Sequence, residues 1–316
     1  MSVCVLAGGV GAARLLAGVI RAVDASSVTA IVNVGDDDEL HGLRISPDLD
    51  TITYTLAGAI DTDRGWGLSD ESWQAMETLR RYSTGAGRPD IGWFNLGDRD
   101  LGTHLWRTTR LNEDAPLSRV TAEITAAWNL GLTLLPATDD RLATVLMTPS
   151  GDALSFQEYF VRDQHEVEVT EVLVGGAAEA RPAPGVLDAI GDAGVVIIAP
   201  SNPIVSIGPV LAVPGIRDAV AARRDRCVAV SPIVGGKALK GPADRLLREL
   251  GHESSAVGVA RIYAELASVL VIDEVDAALA DEVEETGMRC VVMPTVMTGP
   301  EVAEALARGC LAAVGA

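Results

Sequence analysis

The chain has 316 residues, a formal net charge of −19 and 48% hydrophobic residues. That length supports a large core in one or two domains, while the negative balance argues against a nucleic-acid polyanion as partner. No run reaches the ~18 uninterrupted apolar residues of a membrane span, so no membrane association is expected.

The opening segment MSVCVLAGG reads as a first strand over residues 3–7 rather than as a signal peptide, and a cytoplasmic location is expected. The turn Gly8-Gly9-Val10-Gly11 follows, then a helical pattern with Leu15, Leu16, Val19, Ile20 and Val23 on one face. A second strand is predicted over residues 28–34. Strand, glycine turn, helix and strand form the opening unit of a doubly wound sheet. Such a turn presents free N–H groups at a helix start, so Gly8, Gly9, Gly11 and Ala12 are candidates for holding phosphate; a ligand-free tight turn is the alternative. The dinucleotide fingerprint is incomplete, because Arg14 stands at its third glycine.

The stretch VNVGDDDELHGLRISPDLDT then crowds six carboxylates behind the second strand. Asp37, Asp38 and Glu39 read as a solvated or loop-fixing run. Asp50 precedes the apolar run 52–60, where it either caps a helix or holds a cation. Asp61 closes that run, so Asp50, with Asp61 or Asp36, forms the candidate Mg²⁺ site; this ion commonly shares one or two carboxylates with substrate phosphates.

From about residue 53 to 128 the pattern is mainly helical. Aromatic residues make up only 4% of the chain, yet Trp66, Trp73, Trp93 and Phe94 gather here, with Arg88 and Asn95 near them. Flat apolar walls with Asn and Arg suit a planar heterocycle, and core packing would use the same residues. Residues 142–147 and 153–156, joined by a Pro-Ser-Gly-Asp turn, read as a hairpin. Residues 166–174 alternate charged and apolar, as a half-exposed strand does. Residues of about 53–180 are read as an insert or lid within one α/β domain spanning 1–316.

Four further strands are predicted at 194–199, 227–230, 269–272 and 290–293, with helices at 243–250 and 301–311. The loops behind the first two supply Ser201, Asn202, Ser206 and Gly208, and then Gly235 and Gly236, as further nucleotide or phosphate contacts. Loops at carboxyl ends of parallel strands converge on one crevice. Cys4, Cys227, Cys290 and Cys310 read as buried reduced thiols. The four histidines are too scattered for a zinc site.

The segments LAGGVGAARLL, NVGDD, SPDLDT, WFNLGDRD, RPAPGV, APSNPIVSIGPVL and VSPIVGGKALKGPA, in that order, resemble the 2-phospho-L-lactate transferases of coenzyme F-420 biosynthesis. The actinobacterial members are described as phosphoenolpyruvate transferases. The resemblance implies a Rossmann-like, mostly parallel sheet flanked by helices, with a largely helical insert and a small β-hairpin region over the active site. It implies a Mg²⁺-dependent transferase. A GDP-linked three-carbon acid gives its phosphoryl-acid portion to the ribityl hydroxyl of 7,8-didemethyl-8-hydroxy-5-deazariboflavin, and GMP leaves. Asp50 and Asn95 fall where family members touch the deazaflavin. Archaeal relatives tend to carry lysine at the Asn95 position, and Arg88 is the expected substitute cation; Trp66 and Trp93 are the expected ring walls. Asp50 is the expected essential carboxylate, as metal ligand or as acceptor of the hydroxyl proton. Only Lys237 and Lys240 are lysines, a bias of GC-rich genomes that points to the phosphoenolpyruvate branch. A homodimer is expected. The alternative is a non-enzymatic, nucleotide-sugar-binding regulatory protein of related fold; an NAD-dependent oxidoreductase is disfavoured by Arg14.

Overall fold

The computed structural model describes residues 1–88 and 91–314. Its centre is a seven-stranded parallel sheet. Strand β1 (Val3–Ala7) leads through helix α1 (Gly9–Ala22) to β2 (Val28–Val32). A short hairpin, β3 (Asp38–Leu40) and β4 (Leu43–Ile45), precedes helices α2 (Pro47–Leu56), α3 (Gln74–Gly85), α4 (Asp100–Asn112) and α5 (Leu117–Ala127). Strand β5 (Thr133–Pro136) then joins the sheet beside β2. Next come β6 (Ala143–Met147), β7 (Ala153–Ser155) and β8 (Glu171–Gly175), a separate antiparallel sheet in the order β7-β6-β8.

The chain returns to the main sheet through α6 (Val186–Gly191) and β9 (Val195–Ile198), then α7 (Gly208–Ala212), α8 (Ile216–Ala221) and β10 (Cys227–Val230). A two-residue-per-arm hairpin, β11 (Ile233–Val234) and β12 (Lys237–Ala238), is followed by α9 (Ala243–Glu249) and α10 (Ala256–Tyr263). Strand β13 (Val269–Ile272), α11 (Ala280–Glu284), β14 (Arg289–Val292) and α12 (Pro300–Val314) complete it. The sheet order is β14-β13-β10-β9-β1-β2-β5, every pairing parallel. This is the Rossmann-like α/β architecture expected from the sequence.

The inner strands are apolar runs because helices cover both faces of the sheet. VCVLA, VVII, CVAV and VLVI are buried along their whole length. The edge strands differ: β5 ends in Pro136 and β14 begins with exposed Arg289, which suits positions with one unpaired side. Growth of the sheet reverses between β1 and β9. The first half extends from β1 through β2 to β5, the second from β9 through β10 and β13 to β14. A crevice opens at the carboxyl ends where that reversal occurs.

Two expectations change in detail. Glu39 is exposed as expected, but Asp38 and Glu39 lie on β3 and pair with β4, and the tight turn uses left-handed His41 (φ 56°) and Gly42 (φ 76°). Asp37 is no solvated residue either: Ser46 Oγ donates to its Oδ2 at 2.6 Å, and its Oδ1 is buried without a partner among the described residues. The predicted strand over 166–174 starts only at Glu171, and the edge strand β5 had no clear alternating signal. All four cysteines are free, and burial pushes the Cys4 and Cys310 thiols up to about 12. Among the described residues no helix is long and apolar enough to cross a membrane.

Helix α1 packs against α12, and Gly18 makes that approach close: a Cβ there would lie 2.2 Å from the Ala303 carbonyl oxygen. Backbone does not yield as a flexible side chain does. Gly18→Ala is therefore expected to destabilise the protein by about 1–3 kcal/mol through overpacking, despite alanine's better helix propensity. Thermal denaturation checks this; an unchanged or raised midpoint contradicts it.

Candidate active site

A cavity of about 790 Å³ opens at the reversal of the sheet. Its first wall is the β1 turn. Gly8, Gly9, Val10 and Gly11 line it, with Arg14 one helical turn further. Gly9 has a φ of 71°, outside the range comfortable for other residues. Gly11 lets the loop after β9 approach, since a Cβ would fall 2.3 Å from the Pro200 carbonyl oxygen. Ser201 fixes that contact by donating from Oγ to the Gly8 carbonyl at 2.7 Å.

Asn202 works in two directions. Its Oδ1 accepts from the Ile204 and Val205 N–H groups, at 2.9 and 3.4 Å, and so shapes the loop that follows. Its Nδ2 is buried, has no partner among the described residues, and belongs to a residue lining the cavity. A buried amide donor without a partner is costly, and a ligand oxygen would satisfy it. Ser206 also lines the cavity; Ala12, Gly208, Gly235 and Gly236, expected beside it, do not. Ala12 faces the core. Gly235 and Gly236 (φ 59° and 76°) form the β11–β12 turn, where the Gly235 N–H is taken by the Asp276 carboxylate at 3.0 and 3.1 Å.

The second component is the first turn of α2. Pro47 begins the helix, and Asp48 and Asp50 follow two residues apart, which a helix turns to different sides. Asp48 faces the β1 turn: Asn33 Nδ2 donates to its Oδ2 at 3.0 Å, and the Gly9 N–H donates to it as well. An intramolecular carboxylate thus occupies part of the helix end expected to be wholly available to phosphate. Asp36 lies beside it with Oδ1 buried and unpartnered among the described residues. Burial first, then the Asp48 charge, hold the Asp36 carboxyl well above the usual range. Burial pushes Asp48 up to about 6 against the opposing hydrogen bonds from Asn33 and Gly9.

Asp50 faces α4. Arg107, from α4, clasps both its oxygens: Nη1 donates to Oδ2 at 3.0 Å and Nη2 to Oδ1. His104 lies between Asp50 and Asp100, its Nδ1 3.8 Å from Asp50 Oδ2 and its Nε2 3.4 Å from Asp100 Oδ2. Tyr54 donates to Asp100 Oδ1 at 2.5 Å. Burial would raise the Asp100 carboxyl, but His104, Tyr54 and Arg107 outweigh it and hold it below the usual range. Asp50, Asp100 and His104 could geometrically surround a metal, with ligand atoms within 4.8 Å of one another. The adjacent guanidinium already pairs with Asp50, so the cluster is also a buried ion-pair network.

The third component is aromatic. Trp66, Trp93, Phe94 and Asn95 line the cavity, as do Phe156 and Phe160, which stack at 5.4 Å with planes 9° apart. Arg64 sits 5.4 Å over Trp66 and 5.0 Å over Trp73, and its guanidinium is 2.9 Å from Asp61. Two expected residues fall outside. Asp61 does not line the cavity; its Oδ1 accepts from the Asp63 and Arg64 N–H groups of its own loop. Arg88 is exposed in the segment after α3, and the cation that meets Asn95 is Arg80, 2.7 Å from its Oδ1. Asp48, Asp100, His104 and Arg107 were missed from the sequence. The last three recur at i, i+4 and i+7 on α4, a polar stripe whose burial is its only distinguishing mark.

The chain matches the family model described as 2-phospho-L-lactate transferase CofD over residues 3–301. It is 46% identical over 315 residues to the phosphoenolpyruvate transferase of Streptomyces griseus, with 98% of each chain covered. It is 43% identical over 329 residues to the phosphoenolpyruvate transferase of Mycolicibacterium smegmatis, covering 100% of this chain and 99% of that one. Among solved structures, a UPF0052 family member from Bacillus halodurans superposes with a TM-score of 0.64 at 15% identity, covering 98% of this chain and 100% of that one; that likeness shows the fold alone.

The Asp36–Asp48 pair carries a pH signature. Folding raises both carboxyls, so the folded state binds protons more tightly than the unfolded chain, and stability falls as pH climbs from about 4 through about 6. Asp36→Asn is expected to raise the thermal midpoint at pH 7.5 by roughly 2–5 °C, with the difference vanishing near pH 4. Melting curves of both proteins across that range check it; a lowered midpoint at pH 7.5 refutes it.

Proposed function

The chain belongs to the 2-phospho-L-lactate transferase CofD family, and from that premise we propose that it is the transferase of coenzyme F-420 biosynthesis that loads a three-carbon phospho-acid onto a deazaflavin. In this reading the donor is a GDP-linked acid, phosphoenolpyruvyl in preference to 2-phospholactyl because the similar proteins named above are phosphoenolpyruvate transferases. The acceptor is the ribityl hydroxyl of 7,8-didemethyl-8-hydroxy-5-deazariboflavin. The observation that carries the proposal is one cavity lined by two unlike sets of residues. A glycine turn and an amide-bearing loop suit a nucleotide diphosphate. Aromatic walls around Asn95 suit a flat heterocycle.

Helix α2 spans the two ends, with Asp48 against the β1 turn and Asp50 against α4. The hydroxyl oxygen forms a bond to the acid-bearing phosphorus, the bridging bond breaks with its electron pair going to the GMP phosphate, and the hydroxyl proton passes to that departing phosphate. Such transfers pass through loose transition states, so positioning and charge neutralisation matter more than base strength. The Arg107 fork leaves Asp50 lone pairs free to accept from the hydroxyl and fixes their direction. Asp50 therefore orients the attacking oxygen in this proposal. The turn N–H groups and Asn202 Nδ2 hold the departing nucleotide.

A Mg²⁺ requirement fits these residues with one revision. Asp36 and Asp48 are hard oxygen donors, mutually repelling, one with an orphaned oxygen at the cavity. Asp50, closed on Arg107, and Asp61, outside the cavity, fit less well. Bound there, the ion would neutralise charge on the diphosphate.

Asp50→Asn is expected to lower kcat about 100-fold or more and also to lower the melting midpoint, because Arg107 is left buried without its counter-charge, so turnover is compared at a temperature where both proteins are folded. Turnover is followed by mass spectrometry of the product from each GDP-linked acid. Near-normal turnover removes the carboxylate from the mechanism, and selective binding of a UDP-sugar without turnover overturns the transferase reading. Excess EDTA is expected to stop the reaction and added Mg²⁺ to restore it; full activity in EDTA rules out the cation.

A further inference from the structure

Four aspartates, Asp36, Asp48, Asp50 and Asp100, line the cavity, yet the proposed donor is itself polyanionic. The positive groups available to it are few. Arg107 is closed on Asp50, and Arg64 on Asp61 and the Leu68 carbonyl at 2.9 Å. Arg14, beside the glycine turn, makes one long contact of 3.4 Å to the Met297 carbonyl. Lys240 lines the cavity and has no ion pair, hydrogen bond or ring contact among the described residues.

Its position is specific. Lys240 follows the β11–β12 hairpin, and its ammonium lies against the main chain of Gly65: a Cβ on that glycine would fall 2.3 Å from Nζ. Gly65 precedes Trp66, and the residue after Lys240, Gly241, sits beside the Phe160 ring, with a built Cβ 3.8 Å from it. Lys240 therefore stands beside the loop that carries Trp66 and beside the Phe160 wall. An ammonium on a flexible stem, with three donors and no resident acceptor, is suited to a mobile anion.

We propose that Lys240 binds the carboxylate of the transferred three-carbon acid and makes the site selective for acid-bearing donors over GDP itself. This rests on the transferase reading above. The acid leaves with the deazaflavin while GMP departs, so its carboxylate belongs at the aromatic end, where Lys240 is. The glycine turn, Asn202 and Arg14 serve the phosphates at the other end.

Lys240 is exposed, so Lys240→Ala preserves the fold, as an unchanged melting midpoint verifies. Steady-state kinetics is expected to show KM for the GDP-linked acid raised about 10-fold or more, in line with loss of a charge-assisted contact. Calorimetry is expected to show GDP affinity within about twofold of the parent, and Lys240→Arg to recover most of the KM. An unchanged donor KM in Lys240→Ala overturns the assignment, as does an equal loss of GDP and donor affinity, which would place the lysine on a phosphate. Parent protein inactive with every GDP-linked acid would instead remove the transferase reading itself.

Discussion

The joint on which this structure depends is the buried ion pair between Asp50 and Arg107. Asp50 belongs to α2, which lies on α1 and thereby on the sheet; Arg107 belongs to α4. Removing two charges from water costs several kcal/mol per ion, and only good geometry offsets it. The bidentate fork meets that demand, and any other docking of α4 would leave an uncompensated buried charge. His104, Asp100 and Tyr54 extend the pair along the same interface. The pair therefore fixes where the aromatic end of the cavity stands relative to the nucleotide end. Phe94 and Leu96 lie just before α4, and His41 of the β3–β4 turn meets the Phe94 carbonyl at 3.1 Å.

Negative charge is organised in two modes around this joint. At Asp50 it is neutralised internally and serves geometry. At Asp36 and Asp48 it meets only hydrogen bonds and no cation among the described residues, and burial with mutual repulsion lowers stability as pH rises toward neutral. A protein gains nothing structurally from two repelling buried carboxylates, and such perturbed groups in a cleft mark functional sites. That asymmetry separates the two aspartates of the DLD sequence by role, although they are chemically identical and two positions apart.

The sheet was legible in the sequence because buried parallel strands read as short apolar runs ended by glycine, proline or acid. The order of β1, α1 and β2, and the strands at 195–198, 227–230 and 269–272, followed directly. What failed depends on rotation and on loop paths. Asp48 and Asp50 differ by about 200° around the α2 axis, and the sequence does not say which faces the turn. Arg88 and Arg80 both lie near Asn95 in sequence, but the path between α3 and α4 brings Arg80 to it. Gly235 and Gly236 illustrate glycine's ambiguity: the same residue serves a phosphate loop or a positive-φ turn, and here the turn uses both. The α4 stripe of Asp100, His104 and Arg107 looks in sequence like any solvated helix face, and only its burial reveals it.

The two ends of the cavity also differ in how they are built. The nucleotide end consists of backbone held by buried strands, and Gly8 and Gly11 are packed so closely against Asp48, Ser206 and Pro200 that no Cβ fits. Little can change there without moving the sheet. The aromatic end is made of side chains on loops and short helices, with Trp66 44%, Phe160 38% and Leu239 58% exposed. Exposed loop residues tolerate substitution and small displacement at low cost in stability. A rigid end suits the nucleotide of the proposed donor, and an adaptable one suits the proposed acceptor and acid. Differences in donor acid among related proteins should accordingly be sought in the 61–67 loop, the segment after β12 and the Phe156–Phe160 wall, before the glycine turn.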